Sequence, residues 1–142
     1  FKLTPAELST LHHKCFSRPR PWSPNEFKHL LESCFLVERS NAFLLGRFIF
    51  DDAEILTLAV SPSERRKGVA SLLVKDFLLR ATKQGVNRVT LEVAEDNLPA
   101  LALYYSFSFV SIGRREGYYK STNQQNNVAA LVLSCDLSLT KK

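Results

Sequence analysis

The sequence predicts an α/β domain: a mixed, mostly antiparallel central sheet with helices on both faces. Three observations carry this. Two capping-box signatures open amphipathic helices near the N-terminus. Three strand-like runs joined by short turns follow, which implies an antiparallel meander. Beyond Val60, helical and strand-like periods alternate, as they do where helices cover both sides of one sheet.

Thr4-Pro5-Ala6-Glu7 combines a hydroxyl cap, a proline at the first helical position and a glutamate three residues after the cap, so a helix is expected to about Cys15. Ser23-Pro24-Asn25-Glu26 repeats the device, and Phe27, Leu30 and Leu31 follow at helical spacing. Between the two, Ser17 to Trp22 holds two prolines and two arginines and reads as a loop. At Phe35 the period changes. Phe35 to Glu38, Ala42 to Phe50 and Ala53 to Val60 read as strands, with turns at Ser40-Asn41 and Asp51-Asp52. Ser71 to Lys83 then carries Leu72, Leu73, Phe77 and Leu78 as an apolar stripe, and Gly85 supplies the stop. In Arg88 to Ala94, the residues Val89, Leu91 and Val93 share one face while Thr90, Glu92 and Ala94 share the other. Asn97 caps a helix over Leu98 to Phe107, with Pro99 in its first turn. Phe109 to Ile112 and Val128 to Ser134 are the last strands, separated by the polar stretch Ser121 to Asn127. No repeat, linker or low-complexity segment interrupts this order, so residues 1–142 are expected to form a single domain.

Composition bounds the function. An apolar content of 45% in 142 residues supports a sizeable core. A formal charge of +5, from 19 Lys and Arg against 14 Asp and Glu, favours an anionic partner: nucleic acid, anionic lipid or a phosphorylated cofactor. Cys15, Cys34 and Cys135 are odd in number and outside any CxxC spacing, which argues against a disulfide framework or a zinc site and suits a reducing cytoplasm. His12, His13 and His29 lack clustered carboxylate or cysteine partners and read as surface or packing residues, not metal ligands. Neither an apolar run of about 18 residues nor a signal-peptide core is present, so no membrane partner or export is expected. The chain begins at Phe1 instead of Met, which leaves room for residues ahead of it.

The most informative segment is Arg65-Arg66-Lys67-Gly68, between a strand and a helix. A helix usually opens with an acidic or hydroxyl residue; this one opens behind cations. A strand end, a short glycine loop and a helix start gather backbone N–H groups around one point, which favours phosphate. Gly68 permits close approach, and each charge-assisted hydrogen bond contributes roughly 1.5 to 3 kcal/mol. The loop matches neither GxxxxGKS/T nor GxGxxG, which counts against a nucleoside triphosphatase and a dinucleotide oxidoreductase. On the loop alone, a solvated basic turn and a phosphate site stand level.

LTLAVSPSERRKGVASLL, followed by LEVAEDNLPALALYYSFSFVSIGRREGYY, resembles the core of the GNAT acetyltransferases, with RxxGxG/A read as Arg65 to Ala70. Within that superfamily it is most similar to the RimI type, the bacterial ribosomal-protein alanine N-acetyltransferases. The likeness runs from the PWS of residues 21–23 to the last strand, nearly the whole chain. Its specificity lies in the order of the motifs: the loop, then LEV, then Asn97, then ALYxSxxF. Two departures stand out. Ala70 occupies a position where many members have glycine, and Ser108 replaces the usual glycine of a GF pair, which bears on that turn.

The resemblance implies a GNAT fold, acetyl-CoA as cosubstrate and a role for each matched residue. The backbone of Leu58, Ala59 and Val60 would pair with the pantetheine arm, the Leu58 N–H holding the thioester oxygen. Arg65, Arg66, Lys67, Gly68, Val69, Ala70 and Ser71 would surround the diphosphate, with Asn97 also touching the cofactor. Glu92 would take the amine's proton and Tyr104 would protonate the leaving sulfur, the two proton transfers that acetyl transfer requires. Without the resemblance these residues are ordinary: Glu92 sits on a polar strand face, one of Tyr104 and Tyr105 must be core, and Asn97 is explained as a cap. Trp22 reads as a loop anchor near the family's acceptor groove.

A backbone α-amine titrates near 7.7 to 8.0 and lysine near 10.4, so neutralising lysine at pH 7 costs roughly 3 kcal/mol more. A single glutamate base suits the easier acceptor. The expectation is therefore a cytoplasmic enzyme acetylating a protein N-terminus, with alanine of a small ribosomal-subunit protein favoured. Direct attack is expected, because none of the three cysteines lies in the matched motifs. The alternatives are a GNAT enzyme for a small-molecule amine or lysine, a non-catalytic acyl-CoA-binding module, and a nucleic-acid-binding module. The last is disfavoured, because the aromatics follow apolar strand and helix patterns instead of alternating with cations.

Overall fold

Both capping boxes form. In the structure, a computed structural model that describes residues 2–16, 22–119 and 128–138, the Thr4 hydroxyl accepts from the Glu7 N–H at 3.2 Å while Glu7 accepts from the Thr4 N–H at 3.0 Å. Ser23 and Glu26 make the same exchange at 3.2 and 3.1 Å. These caps start α1 (Pro5–Cys15) and α2 (Pro24–Leu31) where the sequence expects them. Strands β1 (Phe35–Arg39), β2 (Ala42–Ile49) and β3 (Asp52–Val60) form the antiparallel meander. Then come α3 (Val69–Lys83), β4 (Arg88–Ala94), α4 (Leu98–Ser106), β5 (Val110–Tyr119) and β6 (Val128–Asp136). The six strands make one sheet in the order β1-β2-β3-β4-β6-β5, and only β3 and β4 run parallel.

Element boundaries shift by one or two residues at several ends, and three of the differences have a local reason. Helix α3 starts at Val69, two residues before Ser71, because Gly68 at φ 76° serves as its N-cap. The second hairpin turns at Phe50, φ 55°, so that Asp52 already pairs with Ile49. Strand β5 continues to Tyr119, well past Ile112; as an edge strand with residues 110–117 exposed, it needs no apolar alternation. Most of the Ser17 to Trp22 loop, and the polar stretch Ser121 to Asn127, lie outside the described residues.

Helices α3 and α4 cover one face of the sheet, burying Leu73, Phe77 and Leu101 against Leu44, Ile55 and Leu91. Helices α1 and α2 cover the other, where Leu8, Leu11 and Phe27 pack on Phe43, Leu45 and Ala59. One irregularity decides which residues of β3 face which helices. Leu45 pairs with Thr57 and Gly46 with Ile55, so Leu56 is an extra residue in the ladder, a β-bulge. Ile55 points to α3, but after the bulge Thr57 and Ala59 face α1 while Leu58 and Val60 face α3. Gly46, opposite the bulge, has no room for a side chain: a Cβ there would come within 2.5 Å of the Phe77 ring and 2.8 Å of the Glu54 carbonyl oxygen.

Ser108 adopts φ 69°, the left-handed conformation that glycine enters without penalty. The turn after α4 is thus kept, at the expense of strain in the serine. Ser108→Gly is expected to stabilise the protein by about 1 kcal/mol, a rise in thermal midpoint of about 2–4 °C, measurable by calorimetry.

His12 is fully buried, stacked on Trp22 at 4.8 Å and flanked by Phe16 and Phe27 at 4.6 and 5.5 Å. Burial chiefly, with some help from His13 and opposition from Glu26, lowers its pKa from 6.5 to about 4. The folded state therefore favours the neutral ring, and the stability this gives is complete above pH 6.5 and lost as pH falls toward 4. Chemical denaturation across that window should show wild type losing up to about 3 kcal/mol more than His12→Phe.

Candidate active site

The parallel ladder between β3 and β4 is short. It runs from Asp52 opposite Arg88 to Ile55 opposite Leu91 and then stops. Beyond it β3 stays with β2 as far as Val60, and β4 stays with β6 as far as Ala94, so the sheet forks. A cleft of about 700 Å³ occupies the fork, within the range of small-ligand sites.

The fork exposes particular backbone groups. The Ser61 N–H donates to the Asn41 carbonyl at 2.9 Å, which makes Asn41 and Ser61 a hydrogen-bonded pair. Such pairs alternate along an antiparallel ladder. Phe43 with Ala59 and Leu45 with Thr57 are therefore bonded pairs, whereas Leu58 and Val60 turn their peptide groups away from β2, into the fork. The Val60 carbonyl already accepts from Arg65 Nε at 3.3 Å and from Cys15 Sγ at 3.3 Å. This leaves the N–H groups of Leu58 and Val60, with the Leu58 carbonyl, facing the cleft. Ala59 departs from the sequence expectation: its peptide groups serve β2, its side chain is buried under α1, and it does not line the cleft.

At the α3 end of the cleft, Arg66 and Gly68 both take left-handed conformations, φ 64° and 76°. No side chain caps α3 and no acidic residue lies in its first turn. Its first backbone bond runs from the Leu72 N–H to the Gly68 carbonyl, so Val69, Ala70 and Ser71 have N–H groups without helical partners. These three line the cleft together with Arg65, Arg66 and Gly68. Free donors at a helix start and two guanidinium groups fit a diphosphate. Lys67 does not join them: its Nζ lies 3.5 Å from Glu64, and it is outside the cleft lining.

Glu92 and Tyr104 reach the fork from opposite faces. Glu92 projects from β4 on the side of α1 and α2, opposite to Val89, Leu91 and Val93, and forms an ion pair at 3.2 Å with Arg115 of β5. Tyr104 enters from α4, 7% exposed, with its ring edge-on to Phe109 at 5.5 Å, while Tyr105 is half-exposed. Burial pushes the Tyr104 phenol far up, so it keeps its proton at neutral pH and acts as a donor. Asn97 caps α4 through the Ala100 N–H at 3.2 Å and lines the cleft. The arrangement sets a carboxylate on one side of the fork, a proton donor on the other, and two N–H groups between them.

His12, Cys15, Phe16 and Thr57 also line the cleft, and sequence reasoning missed them as site residues. For His12 and Cys15 a signal existed: with Leu8 and Leu11 they fall at i, i+3, i+4 and i+7 on one helical stripe. Thr57 had none, because the bulge resets its face. Arg115 lies within the quoted GRREGYY, but nothing there pointed to Glu92.

The acetyltransferase (GNAT) family model matches residues 6–109. The ribosomal protein bS18-alanine N-acetyltransferase of Escherichia coli is 30% identical over 125 residues, 84% of this chain and 83% of that protein. The N-alpha-acetyltransferase RimI of Mycobacterium tuberculosis is 34% identical over 121 residues, 78% and 75% of the two chains. Among solved structures, the E. coli ribosomal-protein-S18-alanine N-acetyltransferase aligns with TM-score 0.82 at 24% identity, covering 93% of this chain and 86% of that one. A Bacillus subtilis acetyltransferase in complex with CoA aligns at 0.72 and 19% identity, covering 92% and 91%. A forked sheet, a helix start without a side-chain cap behind a basic loop and a family match over most of the chain agree: the protein belongs to the GNAT family and is an acetyl-CoA-dependent N-acetyltransferase.

Proposed function

We propose that this protein, acting as a single domain over residues 1–142, acetylates the α-amine of a protein N-terminus, with an alanine-starting small ribosomal-subunit protein as the favoured acceptor. The cytoplasm is the proposed location; no helix among the described residues is long and apolar enough to cross a membrane. The carrying observation is the fork, with Glu92 on one face of the sheet and the diphosphate nest and Tyr104 on the other. Acceptor and cosubstrate can then approach from opposite sides. The substrates named for the two curated relatives support a protein N-terminus as acceptor.

Acetyl-CoA supplies an activated acyl group, and the chain's residues do the rest. Arg65, Arg66 and the N–H groups of Val69, Ala70 and Ser71 hold the diphosphate. The Leu58 N–H stabilises negative charge on the thioester oxygen. Glu92, its carboxylate fixed by Arg115, removes a proton from the amine directly or through water. Tyr104 delivers a proton to the departing sulfur. Cys15 lines the cleft, yet its thiol donates to the Val60 carbonyl, so direct attack by the amine is retained over an acetyl-cysteine. An α-amine acceptor also avoids the roughly 3 kcal/mol of extra deprotonation that lysine demands at pH 7.

Mass spectrometry after incubation with acetyl-CoA tests the acceptor: an Ala-starting peptide should gain one acetyl group at its N-terminus. Transfer confined to polyamines, aminoglycosides or lysine would overturn this reading. Glu92→Gln should lower kcat by about 10²–10⁴-fold, and Tyr104→Phe by about tenfold or more, with acetyl-CoA still bound. If neither slows turnover, their assignment fails. Arg65→Ala should raise the KM for acetyl-CoA by about tenfold or more with little change in acceptor KM, as steady-state kinetics would show.

A further inference from the structure

Thr57 is the first residue of β3 beyond the bulge, lining the cleft on the face that Glu92 and α1 share. Its Oγ1 lies 3.2 Å from His12 Nε2. The other ring nitrogen, Nδ1, accepts from the Trp22 N–H at 3.1 Å. A neutral imidazole has one donor and one acceptor, so the ring proton is on Nε2 and is donated to Thr57. The threonine hydroxyl, already accepting from His12, must then give its own hydrogen elsewhere. It cannot turn back, because His12 has no lone pair left. Among the described residues no acceptor takes that hydrogen. The rings of Phe16, Trp22 and Phe27 lock the imidazole in this orientation.

We infer that Thr57 is a specificity-determining donor whose hydroxyl hydrogen-bonds the carbonyl oxygen next to the α-amine of a peptide acceptor, and that His12 is the residue positioning it. This rests on the N-terminal reading above and adds to it a means of telling α-amines from others. A peptide N-terminus carries a carbonyl one carbon from its amine. A lysine side chain offers methylenes there and leaves the donor without a partner, the situation in which a polar site discriminates most strongly. Hydrophobic walls alone reject poorly; an unpaired donor rejects well.

The test compares acceptor kinetics for an Ala-starting peptide and an N-terminally blocked lysine peptide in wild type, Thr57→Val, Thr57→Ser and His12→Phe. Thr57→Val should raise the Ala-peptide KM by roughly tenfold, leave the KM for acetyl-CoA unchanged, and lower the preference for the α-amine by the same factor. Thr57→Ser, which keeps the hydroxyl, should retain the preference. His12→Phe should weaken it by less, and add nothing in the Thr57→Val background. An unchanged Ala-peptide KM in Thr57→Val, or an equal loss on both acceptors, overturns the proposal. A wild type that never acetylates the Ala-starting peptide overturns the N-terminal reading instead. If Thr57→Val does not fold, Thr57→Ala carries the same comparison.

Discussion

The separation of β3 from β4 after Ile55 and Leu91 is the constraint on which the rest of the structure depends. A closed sheet would satisfy the N–H groups of Leu58 and Val60 internally and leave nothing for a ligand. An open fork exposes them at the cost of two unpaired strand edges. The outer partners make this tolerable: β2 holds β3 through Val60, and β6 holds β4 through Ala94. Arg65 and Cys15 occupy the Val60 carbonyl, so the edge presents mainly donors to the cleft. That polarity suits an acceptor-rich occupant such as a thioester and amide chain.

The bulge at Leu56 then sorts side chains between the two faces. Without it, strict alternation from Ile55 would turn Thr57 toward α3 and Leu58 toward α1. With it, apolar Leu58 and Val60 face the side of α3, and polar Thr57 faces the side of Glu92. The sheet becomes a partition with different chemistry on its two sides. Charge follows the same division, since the free helix donors and two arginines gather at α3 while the carboxylate of Glu92 lies across the sheet beside Arg115.

Much of this was legible in the sequence, and the limits are physical. Helices α1 and α2 were readable because a capping box fixes a start to the residue, and β4 because alternation over Arg88–Ala94 has one buried face. The face of Glu92 followed from that alternation. The length of β5 did not, because an exposed edge strand leaves no hydrophobic signature in GRREGYY. Ala59 and Lys67 share a motif with their neighbours by position, yet backbone alternation turns the first toward β2, and the second lies outside the cleft lining with its Nζ 3.5 Å from Glu64. The fork and the bulge are matters of register between distant segments, which no local pattern encodes.

Two of the non-glycine residues in left-handed conformations show where strain is tolerated. Arg66, at φ 64°, helps wind the loop that turns backbone N–H groups toward one point, so its strain accompanies the donors gathered at the start of α3. Ser108, at φ 69°, lies farther from the cleft, but its turn brings Phe109 back beneath α4, where the Phe109 N–H bonds the Tyr104 carbonyl at 3.2 Å and its ring meets Tyr104 edge-on. A serine that relaxed to negative φ would swing Phe109 away and release the helix carrying the buried phenol. The packing of one fully buried phenylalanine, about 1.5–3 kcal/mol, exceeds the roughly 1 kcal/mol that a left-handed serine costs. The turn therefore holds, and the position of Tyr104 is set by hydrophobic burial behind it.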